Sequence, residues 1–107
     1  MKPEFENIPL VKNQENFHFE LNVDGNIAFI RFSESEHIIT LIHTESPPAL
    51  RGSGAATALV EKTLKWVEEH GMKLVPLCPF VFSYINSHPA WKRIVHQSFK
   101  GFDEKEF

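Results

Sequence analysis

The string Arg51, Gly52, Ser53, Gly54, Ala55, Ala56 stands directly ahead of a stretch with helical hydrophobic period. Two glycines at that spacing let a backbone approach a ligand closely, because no Cβ intervenes. The amides of residues 52–56 would be the unpaired N–H groups of a helix start. Those donors and the positive end of the helix dipole suit a phosphate or pyrophosphate, and Arg51 adds a candidate charge-assisted contact. The longer Gly-Lys-Ser/Thr phosphate loop and the Gly-x-Gly-x-x-Gly turn are both absent. Cys78 is the one thiol. It becomes a nucleophile only in a cationic or helix-N-terminal setting, which Pro79 could provide by opening a helix, and otherwise packs as a small hydrophobe. His43 and Glu45 are candidate proton acceptors at a strand end, and His43 could pair with Cys78; the bland alternatives are a backbone-bonded imidazole and a solvated carboxylate. Tyr84 offers a hydroxyl or simply a packed ring. The other histidines show no metal-ligand spacing and no second cysteine supports zinc, so no metal is expected.

These groups need elements to hold them. Residues 17–23 alternate apolar and polar, the period of a half-buried strand. Asp24-Gly25 then marks a hairpin into a second strand over 27–32, with a polar turn at 33–36. Residues 38–43 are nearly continuously apolar, which predicts a third strand covered on both faces. Ser46-Pro47-Pro48 stops it. A helix from Ala55 presents Ala56, Leu59, Val60, Leu64 and Val67 on one face, carries a favourable Glu61/Lys65 pair on the other, and ends at Gly71. Residues 74–78 form a short strand in which Pro76 cannot donate to a ladder. A helix runs from Pro79 to about Ser87, His88-Pro89 breaks it, and residues 90–99 make a last short helix or strand. The first 16 residues are expected to be loose or to lead into an edge strand, and the acidic tail, residues 103–106, to fray.

A chain of 107 residues makes one domain, taken as 1–107, and ten phenylalanines fill its core without disulfides. A formal net charge of −3 argues against nucleic acid or an anionic membrane as partner. A lone cysteine, no apolar leader and no run of about 20 apolar residues point to a cytoplasmic protein.

The segment from Ile38 to Cys78 resembles the GCN5-related N-acetyltransferases, in which a strand leads through [QR]-x-x-G-x-[GA] into a helix. The matching window is Ala49-Leu50-Arg51-Gly52-Ser53-Gly54; Ala49 stands where the family has Gln or Arg. A subgroup of very small, YjdJ-like members is closer still. Its pattern is similar to His43-Thr44-Glu45-Ser46-Pro47-Pro48, then Arg51 to Ala56, then Val75-Pro76-Leu77-Cys78-Pro79-Phe80-Val81, with departures at Ser46 and Ala55. The resemblance spans roughly residues 15–95.

That resemblance implies an α/β fold with antiparallel N-terminal strands and two parallel strands that splay around an acyl-CoA site. It implies acetyl-CoA as cosubstrate and an unidentified amine as acceptor. Arg51, Gly52, Ser53, Gly54, Ala55 and Ala56 would hold the pyrophosphate, and the backbone of Thr44, Glu45 and Ser46 the pantetheine. Cys78 would lie near the thioester, and Tyr84 would protonate the departing thiolate. Two other readings stay open on the residues alone: a non-catalytic acyl-CoA-binding module, and a hydrolase built on Cys78 and His43.

Overall fold

The computed structural model describes residues 1–102, so the tail expectation at 103–106 lies outside the described residues. Five strands form one sheet in the order β1 (Val11–Asn13), β2 (His18–Val23), β3 (Asn26–Ser35), β4 (Ile38–Glu45) and β5 (Lys73–Pro76). The first four are antiparallel, and β5 runs parallel to β4. The crossover between them is the helix α2 (Ala55–Glu69); α1 (Pro3–Glu6) precedes the sheet and α3 (Pro79–Ser87) follows it.

The β2–β3 turn forms as its residues dictate. Asp24 and Gly25 take φ values of 53° and 86°, the left-handed pair that matches the twist of the flanking strands. The Gly25 amide donates to Asn22 Oδ1 at 2.8 Å. Phe17 is not part of β2: its φ is 57°, so the strand begins at His18. Of the polar stretch at 33–36 only Glu36 lies in the turn, with φ at 50°. Ser33, Glu34 and Ser35 continue β3, because they pair with Thr40, Ile39 and Ile38.

All the helices lie on one face of the sheet. Phe19, Leu21, Ala28, Ile30, Phe32, Ile39, Leu41 and Leu74 are buried there against Ala55, Ala58, Leu59, Val60, Leu64 and Val67 of α2 and Val81 and Ile85 of α3. Ala55 and Ala58 sit in the core where Ala56 was expected, and Thr63 joins them with its hydroxyl bonded to the Leu59 carbonyl at 2.8 Å. Among the described residues the opposite face carries no helix, which corrects the expectation for β4. Ile39 and Leu41 are buried, but Ile42 and His43 are exposed.

The first 16 residues are ordered into α1 and the edge strand β1. Phe5 is buried in the core, which stabilises the segment by about 1.5–3 kcal/mol. A four-residue helix could not stand without such an anchor. At the other end Pro89–Ile94 is a 3-10 turn, and Val95 makes a single parallel bridge to Leu74.

Candidate active site

Pro48–Leu50 is a 3-10 turn anchored by buried Leu50, and the chain then passes through Gly52 and Gly54 at φ values of 76° and 92° into α2. Side chains rarely adopt that region, so both positions favour glycine. Ser53 ties the turn to itself: its Oγ donates to the Leu50 carbonyl at 2.6 Å and accepts from the Ala55 amide at 3.1 Å. The Ser53 amide bonds the same carbonyl. Two of the five amides expected at 52–56 are therefore engaged. Those of Gly52, Gly54, Ala56 and Thr57 find no acceptor among the described residues, and Arg51 beside them is exposed. The arrangement fits a diphosphate: an open turn, four free donors and the start of a 15-residue helix.

A cation stands at this turn that sequence reasoning missed. Lys2 Nζ donates to the Ser53 carbonyl at 2.8 Å, and its stem covers Gly54, where an added Cβ would come within 3.3 Å of Lys2 Cε. Nothing in the local sequence signals this. The burial of Phe5 delivers it.

Beside the turn, β4 loses its partner. The β4–β5 ladder ends where Leu41 pairs with Pro76. Proline has no N–H to continue it, and the Cys78 amide instead donates to the Leu41 carbonyl at 2.8 Å. β4 runs on through residues 42–45 with no strand on that side among the described residues. Its pairing with β3 shifts register here, because Arg31 faces His43 while Phe32 faces Leu41, leaving Ile42 as a bulge.

The bulge and the strand period sort the candidates onto two faces. Thr44 pairs with buried Ile30 and so points to the helix side, where its Oγ1 lies 3.2 Å from Cys78 Sγ. Cys78 is buried and immediately precedes α3, with Pro79 opening that helix as the sequence predicted. His43 and Glu45 point the other way, exposed and joined by a 3.2 Å contact from His43 Nε2 to Glu45 Oε2. The pairing of His43 with Cys78 is therefore not formed: neighbours along a strand face opposite sides of the sheet, and Thr44 takes the place beside the thiol.

Tyr84 points to α2, donating to Glu61 Oε1 at 3.0 Å. Partial burial and the Glu61 carboxylate push its pKa up to about 12. Burial raises Glu61 as well, but the Tyr84 hydroxyl, the N-terminal ammonium and Lys65 bring it below the usual carboxylate value. The protein has a single tyrosine, so tyrosinate absorbance reports this group alone. The expected midpoint is about 12, falling toward the ordinary value of about 10 in Glu61→Gln. Folding raises this pKa, so the contribution to stability is held below the unfolded midpoint and lost as pH rises through the folded one. Tyr84 also lines a hollow of about 210 Å³ with Thr57, Phe80, Ser83, Ser87 and His88, between the start of α2 and α3. Among the described residues, no group of three or more His, Cys, Asp or Glu gathers to hold a metal, and no helix is long and apolar enough to cross a membrane.

A mixed sheet whose fourth strand outruns the fifth, beside a glycine-turned helix start, defines an N-acetyltransferase-type domain. The family model described as GCN5-related N-acetyl-transferase matches residues 18–94, and the chain belongs to that family. It is similar to Protein NATD1 of chicken (Gallus gallus), 33% identical over 61 residues, which cover 57% of this chain and 56% of that protein. It is similar also to Protein NATD1 of mouse (Mus musculus), 29% identical over 79 residues, covering 73% of this chain and 72% of that protein. The chain thus spans between about half and three quarters of the length of these relatives.

Proposed function

We propose that this chain transfers an acetyl group from acetyl-CoA to a primary amine at the end of β4, and that it belongs to the YjdJ-like small subgroup and works in the cytoplasm. The observation that carries the proposal is the exposed turn with four unbonded amides and the Lys2 ammonium, set beside the unpaired edge of β4.

The cosubstrate supplies an acyl carbon activated as a thioester. The amides of Gly52, Gly54, Ala56 and Thr57 bind its diphosphate, with Lys2 and Arg51 neutralising charge. The free edge of β4 at Thr44 and Glu45, with Ser46 just past its end, pairs with the amide groups of the pantetheine arm, and the hollow between α2 and α3 takes neighbouring parts of the molecule. The bulge at Ile42 removes one residue from the ladder, which supplies a backbone donor for the oxyanion that develops on the carbonyl. His43 donates through Nε2 to Glu45, leaving Nδ1 to accept the proton the amine loses as its C–N bond forms. Thr44 Oγ1 and Cys78 Sγ flank the position where the C–S bond breaks, and supply a proton-bearing neighbour for the departing thiolate. Tyr84 is held by Glu61, so its support for this step is through the wall of the cleft.

The test is calorimetric titration of the folded protein with acetyl-CoA. Binding tighter than millimolar is expected. Lys2→Ala should weaken it about fivefold, the effect of about 1 kcal/mol from one exposed charge-assisted contact, and added salt should shrink that difference. Binding weaker than millimolar by protein with native circular dichroism overturns the reading.

A further inference from the structure

The helix-free face of the sheet is where an acceptor must approach, because the other face is filled by α2 and α3. Its side chains form two rows across the strands. One row is Glu20, Phe29 and Glu45; the next is His18, Arg31 and His43. The internal pairing of these charges is uneven. Glu20 takes Asn13 Nδ2 at 3.1 Å and lies 3.6 Å from His18. Glu45 takes His43 at 3.2 Å. His18 also stacks on Phe29 with ring centroids 3.9 Å apart. Arg31 is exposed and has no acceptor among the described residues, although two carboxylates share its face.

Arg31 is also placed at the site. It is the cross-strand partner of His43, at the register step that throws out the Ile42 bulge, so its Cα lies about 5 Å from that of the proposed proton acceptor. An unpaired guanidinium there favours an anion and repels a cation. The face around it is open: Arg31, His43 and Glu45 are all exposed. Small acceptors are usually enclosed in concave pockets, whereas an exposed sheet face suits an extended chain.

We infer that the acceptor is a polypeptide amine with a carboxylate side chain beside it, the amine meeting His43 and Glu45 and the carboxylate meeting Arg31. This rests on the acyl-transfer reading above. The chemistry is one of recognition: the Arg31 fork donates to the two oxygens of the neighbouring carboxylate, which sets the lysine or N-terminal amine over the end of β4.

The experiment uses two peptides that each hold one lysine and differ only in its neighbour, glutamate in one and arginine in the other. Acetylation by the full chain is compared between wild type and Arg31→Glu, with acetyl-CoA affinity measured in both by calorimetry. The expected result is a kcat/KM about fivefold higher for the glutamate peptide, a preference for the arginine peptide in Arg31→Glu, and unchanged acetyl-CoA affinity. Arg31→Lys should keep the original direction, which a purely structural role for the side chain does not require. Equal rates on both peptides, the same preference in Arg31→Glu, or faster turnover of a free diamine than of either peptide overturns the inference while leaving acyl transfer standing. Failure to bind acetyl-CoA removes the acyl-transfer reading and this inference with it.

Discussion

Gly52→Val should lower acetyl-CoA affinity about a hundredfold, close to 2.7 kcal/mol, in protein that still folds. The reason is conformational before it is steric. Gly52 holds φ at 76°, and an added Cβ would meet nothing within 4 Å. A β-branched residue resists that backbone by about 1–2 kcal/mol. The turn relieves the strain by rotating, which redirects its own amide and that of Gly54, two of the four free donors. The core beneath is untouched, because Leu50 and Ala55, which anchor the turn, keep their burial. The measurement is calorimetry with acetyl-CoA beside a thermal melt. Native-like melting with a large loss of affinity is expected, and affinity equal to wild type would refute the binding role of the turn. Gly54→Val makes a harsher companion, since its Cβ also meets the Lys2 stem.

The second large effect falls on stability. Leu41→Ala should destabilise the protein by about 2–5 kcal/mol, read from the urea midpoint. Leu41 is fully buried, faces Phe32 across β3 and is the last residue of β4 paired with β5. Its carbonyl also takes the Cys78 amide, which fixes the start of α3. Removing the side chain leaves a cavity under the point where the two strands part. Against a typical total stability of about 5–15 kcal/mol, the loss is a large share. Ile42→Ala, one residue on, removes an apolar group of similar size that is 40% exposed. It should cost well under half as much. Equal costs at the two positions would contradict the assignment of faces on either side of the bulge.

These two sites differ in how far the chain itself announced them. The glycine turn, the helix that follows it, the Asp24-Gly25 hairpin and the helix opened by Pro79 were all readable, and so was the family through the window 49–54 between a strand and a helix. Each depends on dihedral preference, hydrophobic period or residue order within a few positions. The side-chain partners were not readable. Lys2 meets Ser53 across 51 residues, Thr44 meets Cys78 across 34, and Tyr84 meets Glu61 across 23. Those contacts depend on strand register, on a one-residue bulge at Ile42 and on the burial of Phe5, which arise only when distant segments pack. Residue types and local spacing thus determined the turn, the helices α2 and α3 and the class of fold, but not α1. Packing alone decided that Thr44 rather than His43 stands beside Cys78, because one step along a strand reverses the face a side chain points to.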